Sequence, residues 1–285
     1  MRSVFITICG IPNAGKSTIF NSLIGEKISI ATSKVQTTRT NIRGILTEGD
    51  AQIVFLDTPG IFNPKKTLEK KIVANAYQGI QDGDLLCLVV DAKIGFDRTT
   101  KEFIENYKKS GKKLILILNK IDAISEDKLI ELLATNFNAE VMLEIFPLSN
   151  KKPNTIENLK QYLLGIATEG EWHYAEDDIT DKGLRFLTAE ITREKLFESL
   201  NQELPYSLNV VTDEISEVKE GVREVLQTIF VQREGQKIII IGKKGGNLKE
   251  ISQLAAKDME TLLECRVKLS LFVKISKDWA EHWRE

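Results

Sequence analysis

The 285-residue sequence has little of what builds disulfide frames or histidine metal sites: three cysteines and two histidines. Cys9, Cys87 and Cys265 are widely spaced, and two of them lie in apolar runs that read as buried strands. An odd, scattered set excludes a disulfide scaffold and predicts reduced thiols in a cytosol. His173 and His282 alone cannot make a histidine-rich metal centre. Long apolar stretches are missing too, and none approaches the roughly 18 residues that a membrane-spanning helix requires. The first apolar run begins almost at Met1, which leaves no room for a signal peptide. There is no internal repeat and no low-complexity segment, and a formal net charge of −2 singles out no partner. What is present is a 42% hydrophobic chain longer than one typical domain, enough for two domains with real cores.

Charge is unevenly spread: residues 1–170 carry +3 and residues 171–285 carry −5. Between them runs an acidic, turn-prone stretch, from Glu169-Gly170-Glu171 through Glu176-Asp177-Asp178 to Asp181. Following a helical pattern that ends near Leu164, this predicts a domain over 1–168, an acidic linker over 169–182 and a second domain over 183–285. In the first domain, apolar runs at 4–9, 52–56, 85–90, 114–118 and 141–146 alternate with helical patterns at 68–80, 99–110, 126–137 and 155–164. Pro153 or Asn154 is the start signal for the last helix. Several runs lack polar alternation, as strands buried on both faces do. The pattern predicts an α/β, doubly wound parallel sheet with ligand loops at the carboxyl ends of its strands.

Gly10-Ile11-Pro12-Asn13-Ala14-Gly15-Lys16-Ser17 is a complete G-x-x-x-x-G-K-S phosphate loop between an apolar run and a helical stretch at 17–23. Its glycines let successive N–H groups turn toward phosphate oxygens, and the helix start adds partial positive charge. Lys16 reaches the outer phosphates and Ser17 ligates magnesium; Thr18 completes the phosphate-binding turn. Asp57-Thr58-Pro59-Gly60 ends the run at 52–56, where a carboxylate can hold a magnesium shell and the Gly60 N–H can approach a terminal phosphate. Asn119-Lys120-Ile121-Asp122 follows the run at 114–118. A carboxylate at Asp122 can accept the N1–H and exocyclic amine of guanine, whereas adenine opposes it with an acceptor at N1. Asn119 and Lys120 brace that loop and cover the base. Together the three motifs predict GTP and GDP as ligands.

With these motifs the chain resembles the translation-factor-related GTPases. The resemblance implies that Gln36-Thr37-Thr38-Arg39 lies in a mobile segment whose threonine completes the magnesium shell, Thr38 being preferred and Thr37 the alternative. It also implies a guanine-contacting loop at Leu148-Ser149-Asn150-Lys151, where Asn150 replaces the usual alanine and offers its backbone N–H to the guanine carbonyl. The residue after Gly60 is Ile61, which cannot orient an attacking water as a glutamine does. Hydrolysis must then depend on magnesium, Lys16, Thr38, backbone groups and something supplied from outside. In similar GTPases an asparagine at the place of Asn13 ligates potassium beside the bridging phosphates. A purely structural role for Asn13 in the loop turn is the alternative.

In the second domain, an apolar, strand-like run, Lys237-Ile238-Ile239-Ile240-Ile241, leads into Gly242-Lys243-Lys244-Gly245 and then Asn247-Leu248-Lys249-Glu250-Ile251. G-x-x-G between apolar runs is the clamp of a KH domain, which grips the backbone of about four nucleotides. Lys243, Lys244 and Lys249 supply charge, and residues 233–249 carry a local +4. A groove beside the loop, with Ile240 and Ile251 as candidate walls, would receive bases.

A GTP-binding domain followed by such a domain is similar, over nearly the whole chain, to the Era family of bacterial ribosome-assembly GTPases. Glu190-Ile191-Thr192-Arg193-Glu194-Lys195-Leu196, Glu203-Leu204-Pro205-Tyr206-Ser207 and Lys274-Ile275-Ser276-Lys277-Asp278-Trp279 add to that similarity. It implies a smaller α+β KH domain of type II, a GTP-to-GDP switch and binding to the 3′ end of small-subunit ribosomal RNA during 30S subunit maturation. It further implies a peripheral association with the inner membrane, and no stable protein partner is inferred. The competing expectation is a regulatory or transport GTPase whose second domain binds protein. GTP and magnesium would order the segments around Thr38 and 57–61 and reposition the second domain through the acidic connector.

Overall fold

The computed structural model describes residues 1–32, 34, 37–64, 67–134, 141–200 and 207–276. Gln36, residues 135–137, 203–206 and 277–279, and His282, all used in the sequence reading, lie outside them. The chain divides into two compact units, Met1–Asp181 and Lys182–Glu285.

In the first unit, β1 (Arg2–Cys9), β3 (Ala51–Asp57), β4 (Leu85–Asp91), β5 (Leu114–Asn119) and β6 (Met142–Leu148) run parallel. β2 (Ile42–Glu48) pairs antiparallel with β3 at one edge, giving the order β2-β3-β1-β4-β5-β6. A two-residue strand, β7 (Thr168–Glu169), pairs with the start of β1. The helices are α1 (Lys16–Ile24), α2 (Thr67–Asp82), α3 (Arg98–Lys108), α4 (Glu126–Ala134) and α5 (Pro153–Gly165). Every residue of β3 and β5 is buried, including Gln52, Asp57 and Asn119 at the ends of their apolar runs. β1 lies where strand order reverses, so the loops after β1, β3, β5 and β6 rise from one end of the sheet. Cys9 and Cys87 are buried free thiols and Cys265 is a half-buried one.

β2 was not legible in the sequence, because Arg43 and Gly44 interrupt its apolar pattern. Gly44 is required by packing: a Cβ there would sit 2.5 Å from Cζ of Phe20 on α1. β6 continues through Pro147, which an edge strand tolerates because one row of its N–H groups bonds to nothing in the sheet.

The expected linker at 169–182 is bonded to the first unit as far as Asp181. Gln52, fully buried on β3, accepts the N–H groups of His173 and Tyr174 at 2.8 and 3.1 Å and donates to the Tyr174 carbonyl at 3.0 Å. Farther along, the Ile45 N–H donates to the Ile179 carbonyl at 2.9 Å, Thr180 donates to the Arg43 carbonyl at 2.6 Å, and Arg43 pairs with Asp181 at 3.1 Å. A buried amide needs partners and an open strand edge offers them, so the segment forms a strap along β2 and β3. Its acidic residues stay exposed, which is why composition read as a linker.

The second unit contains α6 (Leu184–Ser199), β8 (Leu208–Lys219), β9 (Val222–Val231), α7 (Glu234–Ile241), α8 (Gly246–Leu263) and β10 (Arg266–Ile275). Central β9 pairs antiparallel with β8 and parallel with β10, giving an αββααβ order. Leu196, Leu208, Ile229, Val231, Ile240 and Ile251 form its core. Residues 237–241 are helical, not a strand. Gln236 reaches back to accept the Arg233 N–H at 2.9 Å, starting the helix, and Gly242 ends it. Four consecutive isoleucines carry high strand propensity, yet a run this short does not separate strand from buried helix. Among the described residues, no helix is long and apolar enough to cross a membrane.

Candidate functional site

The phosphate loop joins β1 to α1. Gly10 has φ +147°, and a Cβ there would lie 2.3 Å from the Val89 carbonyl oxygen. Gly15 has φ +99°, and its Cβ would fall 2.1 Å from Asn119 Nδ2. Both positions therefore demand glycine. Gly15 caps α1 without a side chain, leaving the first-turn N–H groups available to an anion. Lys16 is buried and donates to the Ile11 carbonyl at 3.0 Å. Burial pushes its pKa down, opposed by the negative charge of Asp57. Phosphate oxygens at this loop would stabilise its charged form further.

Three sequence-predicted metal ligands converge. Ser17 Oγ donates to Asp57 Oδ2 at 2.8 Å; Thr38 Oγ1 lies 3.2 Å from that oxygen and 3.0 Å from Ser17 Oγ. Of the two threonines, Thr38 enters this cluster, while Thr37 lines the cavity beside it. Asp57 is fully buried, and its Oδ1 has no hydrogen-bond partner among the described residues. Burial raises its pKa, opposed by hydrogen bonds from Ser29, Ser17 and Thr38 and by the Lys16 charge. An unpartnered buried carboxylate oxygen beside two hydroxyls fits a hard divalent cation such as magnesium. Ser29, which sequence reasoning missed, also donates to Asp57 Oδ2, at 2.7 Å. It belongs to no motif and sits between two isoleucines, so nothing in the sequence singled it out.

After Asp57, the Thr58 hydroxyl donates to the Ile8 carbonyl at 2.9 Å, and Pro59 is buried. A Cβ on Gly60 would be 2.8 Å from Cγ of Pro12, so this loop lies against the phosphate loop. Ile61 donates its N–H to the Gly10 carbonyl at 3.0 Å and buries its side chain in the core.

The third loop is bonded to the first. Asn119 donates to the Ala14 carbonyl at 2.8 Å. Lys120, in a left-handed conformation, bridges the Asn13 carbonyl at 2.6 Å and Asp91 Oδ2 at 2.7 Å. Asp91, at the end of β4, is a second residue the motifs did not reveal. Asp122 accepts from Ser149 Oγ at 2.6 Å and pairs with Lys151 at 2.7 Å. Those two partners, Lys151 first, hold its carboxyl low, at about 2. Asn150, next to buried Ser149, is exposed. A cavity of about 460 Å³ opens among Asn13, Lys16, Ser17, Thr38, Gly60 and Lys120, and Thr18 also lines it.

In the second unit, Gly242-Lys243-Lys244-Gly245 turns the chain between α7 and α8. Gly242 has φ +71°, and a Cβ would lie 2.5 Å from Cγ of Asn247, whose amide donates to the Ile239 carbonyl at 3.1 Å. Lys244 and Gly245 are left-handed. Lys243, Lys244 and Lys249 are exposed around the turn, and Ile241 is half-buried. Ile240 and Ile251 do not wall an open groove: both are fully buried in the core, because each faces the sheet from its helix. The exposed apolar residues beside the turn are Ile238, Ile239 and Leu254.

A doubly wound sheet carrying a phosphate loop and a guanine-type Asn-Lys-x-Asp loop, joined to an αββααβ unit with a G-x-x-G turn, defines a GTPase with a KH domain. Family models agree: residues 5–120 match one described as "50S ribosome-binding GTPase", and residues 203–280 match "KH domain". Curated relatives include the GTPase Era of Brucella suis biovar 1 (strain 1330), 43% identical over 100% of this chain and 92% of its own length. Another is that of Bradyrhizobium sp. (strain BTAi1), 40% identical over 98% of this chain and 91% of its own. A crystal structure of Era in complex with MgGDPNP and nucleotides 1506–1542 of 16S ribosomal RNA superposes with a TM-score of 0.92. It is 38% identical and covers 98% of this chain and 95% of its own. An Aquifex aeolicus Era variant bound to GDP·AlF4⁻ also reaches 0.92, at 37% identity, covering 98% of this chain and 96% of its own. The chain belongs to the Era family of GTPases.

Proposed function

We propose that this protein binds GTP in the first unit, binds small-subunit ribosomal RNA through the Gly242–Gly245 turn, and couples the two during 30S subunit assembly. The observation that carries this reading is that loops after β1, β3 and β5 close on one cavity, the β5 loop bonded to the β1 loop through Asn119 and Lys120 and the β3 loop through the Ile61 N–H. The second unit of the same chain presents a lysine-bearing G-x-x-G turn. The 16S RNA fragment bound by the similar Era structure supports the choice of RNA.

In this reading the N–H groups from Asn13 to Thr18 and the Lys16 ammonium hold the phosphates. Ser17, Thr38 and Asp57 would hold magnesium, which when bound supplies positive charge to the outer phosphates. Asp122 reads the guanine edge, Asn150 offers its N–H to the base carbonyl, and Ser149 fixes the Asp122 carboxylate. Hydrolysis joins a water oxygen to the γ-phosphorus and breaks its bond to the bridging oxygen, leaving GDP and phosphate. Lys16 and the Gly60 N–H face the charge that develops, and buried Ile61 offers the water neither donor nor acceptor. Turnover by the protein alone is therefore slow. Asn13, left-handed at the cavity mouth, would hold potassium there. Equal turnover in sodium and potassium buffers would remove that part of the reading. A peripheral inner-membrane association belongs to the same reading and is tested by flotation with lipid vesicles.

The main test is filter binding of a 3′-terminal small-subunit RNA fragment to the full chain loaded with GTP or GDP. Tighter binding with GTP is expected. Equal affinity in both states would refute the coupling, and absence of RNA binding at low ionic strength would refute the RNA assignment.

A further inference from the structure

We propose that Ser29 is a positioning residue for the magnesium site: its hydroxyl fixes the rotation of the Asp57 carboxylate, and Asn21 fixes Ser29. This rests on the nucleotide-site reading above.

Asp57 Oδ2 accepts three hydroxyls, from Ser29 at 2.7 Å, Ser17 at 2.8 Å and Thr38 at 3.2 Å. Oδ1 has no partner among the described residues. Ser17 and Thr38 are themselves assigned to the cation, and both hydroxyl oxygens must turn toward it when it binds. Ser29 is the one of the three with no such second task. It is 2% exposed, between Ile28 at 4% and Ile30 at 2%, and makes the shortest of the three bonds.

Its backbone is held from α1. Asn21 Oδ1 accepts the N–H groups of Ile28 and Ser29 at 3.1 and 3.0 Å, and Asn21 Nδ2 donates to the Ser29 carbonyl at 2.8 Å. Asn21 stands four residues after Ser17 on the same helix, hence on the same face. One helix thus carries a metal-site hydroxyl and the amide that clamps Ser29. An aspartate carboxylate turns broadly about its last bond unless an oxygen is held. Groups that orient metal ligands change affinity by about 10-fold or more when removed.

The test is release of fluorescently labelled GDP from the full chain, followed across buffered free Mg²⁺. Ser29→Ala is expected to raise the Mg²⁺ concentration that half-maximally slows release by about tenfold. Release in excess chelator is expected within twofold of the parent. Ser29→Thr, which keeps a hydroxyl, is expected to restore the parent midpoint. Asn21→Ala, which keeps the Ser29 and Asp57 side chains but frees the Ser29 backbone, is expected to shift it in the same direction as Ser29→Ala. An unchanged midpoint in Ser29→Ala, or equal acceleration of release with and without Mg²⁺, would overturn the proposal. If Ser29→Ala does not fold, Asn21→Ala decides by the same two criteria. Failure of the parent protein to retain GDP in a Mg²⁺-dependent way would instead sink the nucleotide-site reading itself.

Discussion

Both oxygens of the Asp122 carboxylate are engaged before any base arrives, one by the Ser149 hydroxyl and one by the Lys151 ammonium. Those partners depress its folded-state pKa to about 2, below the ordinary carboxylate value. The stabilisation they give is complete above that ordinary value and is lost only as pH falls through the depressed one. The preference for GTP over ATP, measured calorimetrically, is therefore expected to stay flat from about pH 8 down to about pH 5.5. A loss centred between would point to a different titrating group. In the proposed site guanine would take Oδ2 from Lys151, an exchange made easy by the exposure of that lysine. In Asp122→Asn the amide cannot accept both guanine donors, and GTP affinity is expected to drop about 100-fold, the worth of one charge-assisted bond. Xanthosine triphosphate, with a carbonyl in place of the amine, should gain in compensation.

At the scale of elements, the strand–loop–helix around Gly10 to Ser17 and the loops after β3 and β5 were legible because their residue types are dictated by local backbone geometry. Gly10 and Gly15 leave no room for a Cβ, and Lys120 must sit left-handed to reach Asn13. Partners supplied from a distance in the chain were not legible. Ser29, Asp91 and Gln52 have no motif, and each acquires its task only when the sheet brings a second segment beside it. α7 was misread for the opposite reason, since four isoleucines gave a strong local signal that the Gln236 cap and Gly242 override. Gln52 offers a measurable case. Gln52→Ala removes three hydrogen bonds to residues 173 and 174 and is expected to cost about 1–3 kcal/mol in urea unfolding. Limited proteolysis should then cut first within 170–181. An unchanged midpoint and digestion pattern would mean that other contacts hold the segment.

Across the whole molecule, each unit has its own buried core, and all the nucleotide-site residues belong to the first. Changes at the G-x-x-G turn should therefore spare GTP binding. In Lys243→Glu with Lys244→Glu, RNA affinity is expected to fall, and the slope of log affinity against log salt to shrink by about 1.4, two single-strand phosphate contacts. A slope unchanged by both substitutions would place the RNA elsewhere.

The strap over β2 carries a consequence for dissecting the protein. Ile179 and Thr180 occupy backbone groups that an edge strand would otherwise offer to a neighbouring copy. A nucleotide-domain fragment ending at residue 168 uncovers that border and invites self-association. One carried through Asp181 brings its own seal and should remain monomeric in sedimentation.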